Sequence, residues 1–326
     1  MKRTAEARAN IALVKYWGRT DHELNLPVTS SISMTVDKLV TRTTVEVDAS
    51  LKRDELTING KTQTGAPLER VQKHLDRLRE RADSTVRCRV VSENSFAASA
   101  GMASSASAFA ALTVAGFEAL GVHPSSRELS TFARLGSGSA SRSIFGGFVE
   151  WRAGKDHESS YAEEIAPPSH MDLHDVVLVL SEGEKKVGST EGHGVADSSP
   201  LQAGRIARVP ALLDEVRFGV LERDFHRLGR AAEEDAFLMH AVMMTSRPSL
   251  LYWSQETIVG LHAVRRWREG GLGVYATIDA GPNLHLLCMG SDAREVARRA
   301  REELRVRTIL DNAPGAGAGI TNKHLF

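Results

Sequence analysis

The sequence predicts two domains that share a cleft, each combining strands and helices in an α/β or α+β arrangement. The chain has 326 residues, more than a single hydrophobic core usually organises. Strand and helix patterns occur together in both halves of the chain. The segment 166–170 (APPSH) separates the halves, because its two prolines exclude a helix and disfavour a sheet. We therefore predict domains at 1–172 and 173–326.

In the first half, most strand patterns come before the helix patterns. Runs rich in β-branched and apolar residues predict strands at 10–15, 31–36, 41–47 and 57–59. Leucines and charges at helical spacing predict a helix at 67–82, and a strand follows at 85–92. A Gly/Ser-rich turn then leads into a helix of small residues at 104–120.

The second half begins with the apolar run 175–180 (DVVLVL), which is typical of a strand in a sheet covered on both faces. Helical patterns follow at 200–213, 222–244, 252–269 and 291–303. Two further strands, 274–278 and 284–289, flank the turn 279–283 (DAGPN).

Composition and charge narrow the classes of partner. Lys plus Arg and Asp plus Glu number 41 each, so no overall field attracts nucleic acid or an anionic membrane. No apolar run approaches the roughly 20 residues of a membrane span. Cys88 and Cys288 lie in apolar segments without metal-ligand spacing, which favours buried thiols in a reducing compartment. We therefore expect a cytoplasmic protein whose anionic ligands are held by local groups.

The segment 99–107 (SAGMASSAS) has the composition of a phosphate-binding loop. Small side chains leave backbone N–H groups accessible, and a helix N-terminus adds roughly half a positive charge. The candidate contacts for a nucleotide phosphate are Gly101, Ala103, Ser104 and Ser105, and the Ser105 hydroxyl is also a candidate Mg²⁺ ligand. The alternative is a tight turn before a closely packed helix. The P-loop pattern GxxxxGK[ST] is absent.

Two cations occupy positions that suggest a binding role. Lys15 ends the apolar run 11–15 (IALVK), and a buried lysine usually has a partner. We expect a carboxylate or phosphate beside it, although a lysine at a strand end could reach solvent. Arg142 follows the segment 136–141 (GSGSAS), which we interpret as a flexible polar loop. An arginine there can grip a planar carboxylate; the alternative is a surface linker.

Asp279 ends an apolar strand and begins the turn DAGPN. These residues are common turn formers, so a purely structural turn is one interpretation. The other is a general base held near Lys15 and Arg142. His240 and His285 have no second His or Cys at ligand spacing, which favours structural roles.

Together, the motifs resemble the diphosphomevalonate decarboxylase family. The segments that carry the resemblance are 9–18 (ANIALVKYWG), 26–27 (LP), 30–33 (SSIS), 100–106 (AGMASSA), 136–143 (GSGSASRS), 146–151 (GGFVEW), 184–187 (EKKV), 189–190 (ST) and 279–283 (DAGPN). They occur in the family's order and span nearly the whole chain. Since that family belongs to the GHMP kinase superfamily, the resemblance implies a two-domain α+β fold with ATP in the interdomain cleft.

The resemblance also implies a reaction, its cofactors and the residues that carry it. Mevalonate 5-diphosphate would be decarboxylated to isopentenyl diphosphate in the mevalonate pathway, with ATP and Mg²⁺, by a homodimer. Asp279 would orient or deprotonate the C3 hydroxyl, Arg142 would hold the substrate carboxylate, and Lys15 would contact Asp279 and the developing charge. The remaining substrate contacts implied by the resemblance are Tyr16, Arg19, Ser137, Ser139, Lys185 and Ser189.

Three departures from the family pattern leave the substrate open. Arg19 stands where the family usually has lysine, Ser141 where it has cysteine, and Thr29 where it often has asparagine. Arginine presents a planar fork instead of a point charge, so mevalonate 5-phosphate, giving isopentenyl phosphate, is the alternative substrate. A 3-kinase that does not decarboxylate and a non-catalytic binding module are further alternatives.

Overall fold

The computed structural model of the chain describes residues 1–96, 104–180 and 188–326. The strands are β1 (Lys2–Val14), β2 (Arg19–Asp21), β3 (Leu26–Pro27), β4 (Ser31–Val47), β5 (Glu55–Ile58), β6 (Lys61–Thr62), β7 (Cys88–Asn94), β8 (Phe148–Trp151), β9 (Ala162–Ala166), β10 (Leu173–Val179), β11 (Val274–Thr277), β12 (Leu284–Met289), β13 (Thr308–Asn312) and β14 (Gly319–Thr321). The helices are α1 (Ala66–Arg81), α2 (Ser104–Leu120), α3 (Ser126–Gly136), α4 (Ser189–Gly194), α5 (Gln202–Leu221), α6 (Phe225–Thr245), α7 (Gln255–Glu269) and α8 (Gly290–Glu303).

The first sheet is built around the long antiparallel pair β1 and β4. Its strand order is β14-β1-β4-β7-β5-β6, with β8 pairing β4 and β9 pairing β8. The prediction of separate strands at 31–36 and 41–47 is wrong, because β4 runs unbroken across both segments. The pairing of β1 with β4 shifts register between Arg8 and Asn10, and such a bulge lets a bent strand continue in the sheet.

The second sheet has the order β11-β12-β10-β13, and all of its strand pairs are antiparallel. On one face, Val176, Leu178 and Leu286 pack in a core with residues of α7 and α8. On the other face, Val177 and Leu287 join a core that also contains residues of β1, β4, α5 and α6. This shared core fixes the two sheets against each other and brings the end of β1 close to the turn after β11.

Two further findings concern the cysteines and the lengths of the helices. Cys88 and Cys288 are buried free thiols on β7 and β12, which confirms their predicted strand positions. None of the helices in the described part of the chain has the length and apolar character needed to cross a membrane.

Candidate active site

The centre of the site is an ion pair between Lys15 and Asp279. Lys15 directly follows β1, and its Nζ lies 2.6 Å from Asp279 Oδ1 and donates a hydrogen bond to the Ala12 carbonyl over 2.7 Å. The Lys15 side chain is 2% exposed, whereas that of Asp279 is 30% exposed. The lysine therefore has the carboxylate partner that its apolar surroundings predict, and the carboxylate is the member of the pair that a ligand can reach.

A second, fully buried ion pair holds the backbone of Lys15. The Lys15 N–H donates to Asp235 Oδ2 over 2.5 Å, and Arg205 Nη2 donates to the Lys15 carbonyl over 2.9 Å. Arg205 also pairs with Asp235 at 3.0 Å. Burying two charges costs desolvation energy and often adds no net stability. Here the pair fixes both polar backbone groups of Lys15, a role that sequence reasoning missed.

Arg142 is buried beside the Lys15–Asp279 pair. Its Nη1 donates to Ser31 Oγ over 2.6 Å and its Nη2 donates to Asn10 Oδ1 over 3.1 Å. Burial lowers the pKa of Arg142 to about 10, against the opposing effects of Asp279 and Tyr16. The guanidinium therefore stays charged at neutral pH, in an orientation set by two side chains of the first sheet. Sequence reasoning did not identify Asn10 or Ser31.

The segment before Arg142 is ordered and not the flexible polar loop that its composition suggests. Residues Gly138–Ile144 form a 3₁₀ helix in which Ser141 Oγ donates to the Gly138 carbonyl over 2.9 Å. A Cβ atom on Gly138 would lie only 2.6 Å from the Tyr16 ring. The small residues thus permit close packing against Tyr16, and the serines replace solvent as hydrogen-bond partners. Ser137 and Ser139 are half-buried at the start of this segment.

Tyr16, the residue after Lys15, is packed between several of the predicted substrate contacts. Arg19 Nε donates to Tyr16 Oη over 2.8 Å, and the Tyr16 ring lies 4.1 Å from the His193 ring, centroid to centroid. The Gly18 N–H donates to His193 Nδ1 over 3.1 Å. Burial keeps the pKa of His193 well below its ordinary value, so the histidine is neutral. It packs α4 against the end of β1.

The predicted phosphate-binding residues are only partly described. Ser104 and Ser105 open α2, while Gly101, Ala103 and Lys185 lie outside the described residues. Ser189 begins α4, but its side chain is likewise outside the described set. Ser105 Oγ lies 3.1 Å from Ser137 Oγ. The first turn of α2 is therefore in contact with the segment that carries Arg142.

A strongly basic cleft of about 350 Å³ adjoins these residues. Arg19 and Ser137 line it together with three cations of α1, Arg70, Lys73 and Arg77. Partial desolvation lowers the pKa of Arg70, although the residue remains exposed to solvent, and the charge of Arg19 lowers it further. Glu23 is the single carboxylate among the described residues that line this cleft. Such an excess of positive charge suits a multiply charged anion.

Sequence reasoning missed the three α1 cations, although their spacing carries a signal. Residues 70, 73 and 77 follow the i, i+3, i+7 pattern, which places side chains on one helix face. Arg70 Nη2 donates to the Gly136 carbonyl and Arg77 Nη1 to the Leu135 carbonyl, each over 2.8 Å. These two arginines therefore also position the end of α3, immediately before Ser137.

The donor set agrees with a magnesium ion that arrives with phosphate. No group of three or more His, Cys, Asp or Glu side chains suited to a metal occurs within residues 1–96, 104–180 and 188–326. Mg²⁺ usually keeps several waters and is held by one or two protein oxygens together with substrate phosphates. The Ser105 hydroxyl, at a helix N-terminus beside Ser137, fits such a partial ligand set.

Comparison with known proteins gives consistent matches along the chain. The model of the diphosphomevalonate decarboxylase-like N-terminal domain matches residues 7–162, and that of the mevalonate 5-diphosphate decarboxylase C-terminal domain matches 175–315. The Aspergillus fumigatus diphosphomevalonate decarboxylase is 38% identical over 317 residues, covering 90% of this chain and 78% of its own.

Solved structures of similar proteins superpose over almost the full length. Mevalonate diphosphate decarboxylase from Staphylococcus aureus is 36% identical, with a TM-score of 0.94 and 99% of each chain covered. A complex of MDDEF with MVAPP, AMPPCP and magnesium is 35% identical, with a TM-score of 0.93, and covers 98% of this chain and 99% of the other.

Proposed function

The chain belongs to the diphosphomevalonate decarboxylase family, and we propose that Lys15, Arg142 and Asp279 carry the reaction of that family. This reaction is the ATP-dependent decarboxylation of mevalonate 5-diphosphate to isopentenyl diphosphate, with ADP, phosphate and carbon dioxide as the other products. The observation that supports this assignment most directly is the 2.6 Å contact between Lys15 and Asp279 beside the buried Arg142. A partly accessible carboxylate there pairs directly with Lys15 and also interacts with the charge of Arg142.

The first task of the site is to prepare the tertiary C3 hydroxyl. Asp279 accepts the hydrogen bond of this hydroxyl and takes its proton as the oxygen is phosphorylated. Lys15 keeps the carboxylate ionised and oriented, since an opposite charge within hydrogen-bond distance favours the charged form. The Asp235–Arg205 pair prevents the backbone of Lys15 from moving away.

The second task is to direct the breaking of the carbon–carbon bond. Once the C3 oxygen is phosphorylated, it can depart as phosphate, and positive charge develops at C3. The electron pair of the bond to the carboxylate then forms the alkene, and carbon dioxide is released. Arg142 holds the carboxylate in the required orientation through its guanidinium fork, which Asn10 and Ser31 keep in place.

The basic cleft supports a diphosphate as the group at the other end of the substrate. Arg19, Arg70, Lys73 and Arg77 line the cleft together with Ser137, which begins the segment that carries Arg142. Tyr16, Ser139, Lys185 and Ser189 complete the proposed set of substrate contacts. Glu23, which lies 3.7 Å from Lys73, offsets one of the four cations, and the remaining three positive charges still exceed what a single phosphate needs for neutralisation. The charge of the cleft therefore favours the diphosphate over the monophosphate. Arg19 supplies the positive charge that the family's lysine would supply.

We propose that the nucleotide is held at the first turn of α2. Gly101, Ala103, Ser104 and Ser105 would contact its phosphates, and Ser105 would be a ligand of the accompanying Mg²⁺. When bound, ATP supplies the phosphoryl group that makes the C3 oxygen a leaving group. The 3.1 Å contact between the hydroxyls of Ser105 and Ser137 links this turn to the substrate side.

We also propose that the enzyme is a cytoplasmic homodimer. The buried free thiols of Cys88 and Cys288 suit a reducing compartment. Leu251, Ile258 and Val259 are exposed apolar side chains around the start of α7, and a partner subunit could cover them. Light scattering coupled to size-exclusion chromatography measures the oligomeric state directly.

The reaction is tested by incubating the protein with magnesium-ATP and either mevalonate 5-diphosphate or mevalonate 5-phosphate, and measuring ADP and carbon dioxide. We expect equal amounts of both products from the diphosphate and neither from the monophosphate. Carbon dioxide from the monophosphate alone would indicate a phosphomevalonate decarboxylase instead. ADP without carbon dioxide would indicate a 3-kinase, and neither product from either compound would indicate a binding module.

A further inference from the structure

A buried histidine–aspartate pair lies on the second sheet, on the face that packs against the shared core. Asp175 on β10 and His285 on β12 are diagonal neighbours, because the register pairs Val177 with His285. His285 Nδ1 lies 3.0 Å from Asp175 Oδ2 and 3.1 Å from Oδ1. Both residues are buried, among Leu173, Val177 and Leu287. An ionisable pair in an apolar layer adds little net stability, so it calls for another explanation.

The pair opens onto the same small cavity as Asp279. Asn10, Asp175, Asp279 and His285 are the polar residues that line this cavity, and its volume is about 10 Å³. That is room for about one water molecule, provided that polar partners surround it. Asn10 is also the side chain that orients Arg142. The histidine–aspartate pair and Asp279 therefore face one small cavity, whose walls are otherwise apolar.

We propose that His285, oriented by Asp175, is a positioning residue for Asp279 that helps to keep its carboxylate ionised and aligned. This inference rests on the proposed role of Asp279. Both contacts with Asp175 use Nδ1, so Nε2 is the ring nitrogen available to the cavity. A proton on the imidazole would favour the charged form of Asp279, and Lys15 acts on the same carboxylate through its direct contact.

The charges around His285 support this arrangement. Burial disfavours the protonated imidazole, but the charge of Asp175, its hydrogen bond and the charge of Asp279 outweigh burial and raise the pKa of His285. Lys15 opposes them. Because the influence of two charges on each other is mutual, a protonated His285 favours the ionised form of the Asp279 carboxylate, and His285→Gln removes this support. The acidic limb of the pH–rate profile then moves to higher pH.

The test uses His285→Gln and Asp175→Asn, two substitutions that keep approximate size and hydrogen-bonding capacity. His174→Gln is the matched control, since His174 lies next to Asp175 on β10 and pairs with Asp311 at 2.6 Å near the surface. The pH dependence of kcat/KM for mevalonate 5-diphosphate is measured at saturating magnesium-ATP. We expect His285→Gln to move the acidic limb upward by about half a pH unit or more, and His174→Gln to leave it in place.

A second measurement does not depend on turnover. The imidazole of His285, assigned by comparison with His285→Gln, is titrated by NMR in the wild type and in Asp279→Asn. We expect its pKa to fall in Asp279→Asn, because a nearby negative charge has been removed. If carbon dioxide is never formed but this shift occurs, the proposed reaction fails while the electrostatic link between His285 and Asp279 stands.

The proposal is overturned by a different combination of results. It fails if three results occur together. The wild-type enzyme decarboxylates mevalonate 5-diphosphate, the pKa of His285 is the same in the wild type and in Asp279→Asn, and His285→Gln keeps the wild-type pH profile. A lower melting temperature alone would then assign the pair a structural role.

Discussion

Lys15 Nζ and Asp279 Oδ1 lie 2.6 Å apart, although 264 positions separate the two residues in the chain. Lys15 follows β1 of the first sheet, and Asp279 lies two residues after β11 of the second. The contact thus joins the two sheets at the cleft between them. Because the lysine is buried and the aspartate partly exposed, the lysine supports the carboxylate and leaves it accessible to substrate.

Replacing Lys15 with Met should remove this support while keeping an unbranched side chain of similar length. We expect kcat to fall on the order of 100- to 1,000-fold, since a preorganised charge at the reacting centre is lost. The affinity for mevalonate 5-diphosphate should change far less. Steady-state release of ADP and carbon dioxide measures both quantities. Lys2→Met, which removes a partly exposed lysine at the start of β1, is the control and should retain wild-type kinetics. A Lys15→Met enzyme within threefold of the wild type would contradict this role.

Arg142 should not be replaceable by lysine. The shorter, single-point charge of lysine cannot bond Asn10 and Ser31 while presenting a fork to the substrate carboxylate. We expect Arg142→Lys to lose about 100-fold in kcat and to retain the fold, as judged by circular dichroism. The exposed Arg152, which pairs with Glu163, provides the matched control Arg152→Lys. Near-normal turnover of Arg142→Lys would show that charge alone suffices.

The basic cleft should control substrate affinity more than the chemical step. We expect Arg70→Gln to raise KM for mevalonate 5-diphosphate at least about tenfold, because a hydrogen bond to a charged group contributes roughly 1.5–3 kcal/mol. The change in kcat should be smaller. Arg81→Gln, on the same helix but paired with Glu128 away from the cleft, should have the wild-type KM. An unchanged KM in Arg70→Gln would place the diphosphate elsewhere.

Buried neutral histidines should make the protein sensitive to acid. Burial lowers the pKa of His74 to about 3. Burial also lowers the pKa of His240, to about 4, and the positive charge of Lys15 acts in the same direction. In the unfolded chain both return to about 6.5. Each therefore contributes stability that is fully present above pH 6.5 and is lost as the pH falls toward its folded pKa. The expected slope is up to about 1.4 kcal/mol per pH unit for each histidine.

Urea unfolding between pH 7 and 4 measures this effect in His74→Gln, where the glutamine can keep the hydrogen bond to Thr113. The free energy of unfolding of the variant should decrease less steeply with falling pH than that of the wild type. His123→Gln, which changes an exposed histidine, should follow the wild-type slope. Parallel curves for wild type and His74→Gln would refute the assignment.

Local patterns predicted much of the fold. The small-residue helix was predicted at 104–120, which are the bounds of α2, and the strand at 284–289 matches β12. Helix α3 was missed, although its start carries a signal. Ser125 caps the helix by accepting a hydrogen bond from the N–H of Glu128, and serine followed three residues later by glutamate is typical of a helix start.

The site was only partly predictable, for a physical reason. Lys15 and Arg142 are charges in apolar or small-residue segments, so each is conspicuous in the sequence. The groups that hold them are ordinary in their own segments: Asn10 lies 132 positions from Arg142, and Asp235 lies 220 positions from Lys15. Only the packing of the two sheets with α5 and α6 brings these residues together. The supporting contacts of the site are therefore a property of the fold and not of any local pattern.

The central claim is that Asp279 activates the C3 hydroxyl, and Asp279→Asn tests it most directly. The amide keeps the size of the side chain but cannot accept a proton at neutral pH. The measurement is a single turnover of the variant with magnesium-ATP and mevalonate 5-diphosphate, following ADP and carbon dioxide together, with substrate affinity determined separately by calorimetry. We predict that both products form at least about 100-fold more slowly while the affinity changes little. Near-normal formation of both products across pH would contradict the account.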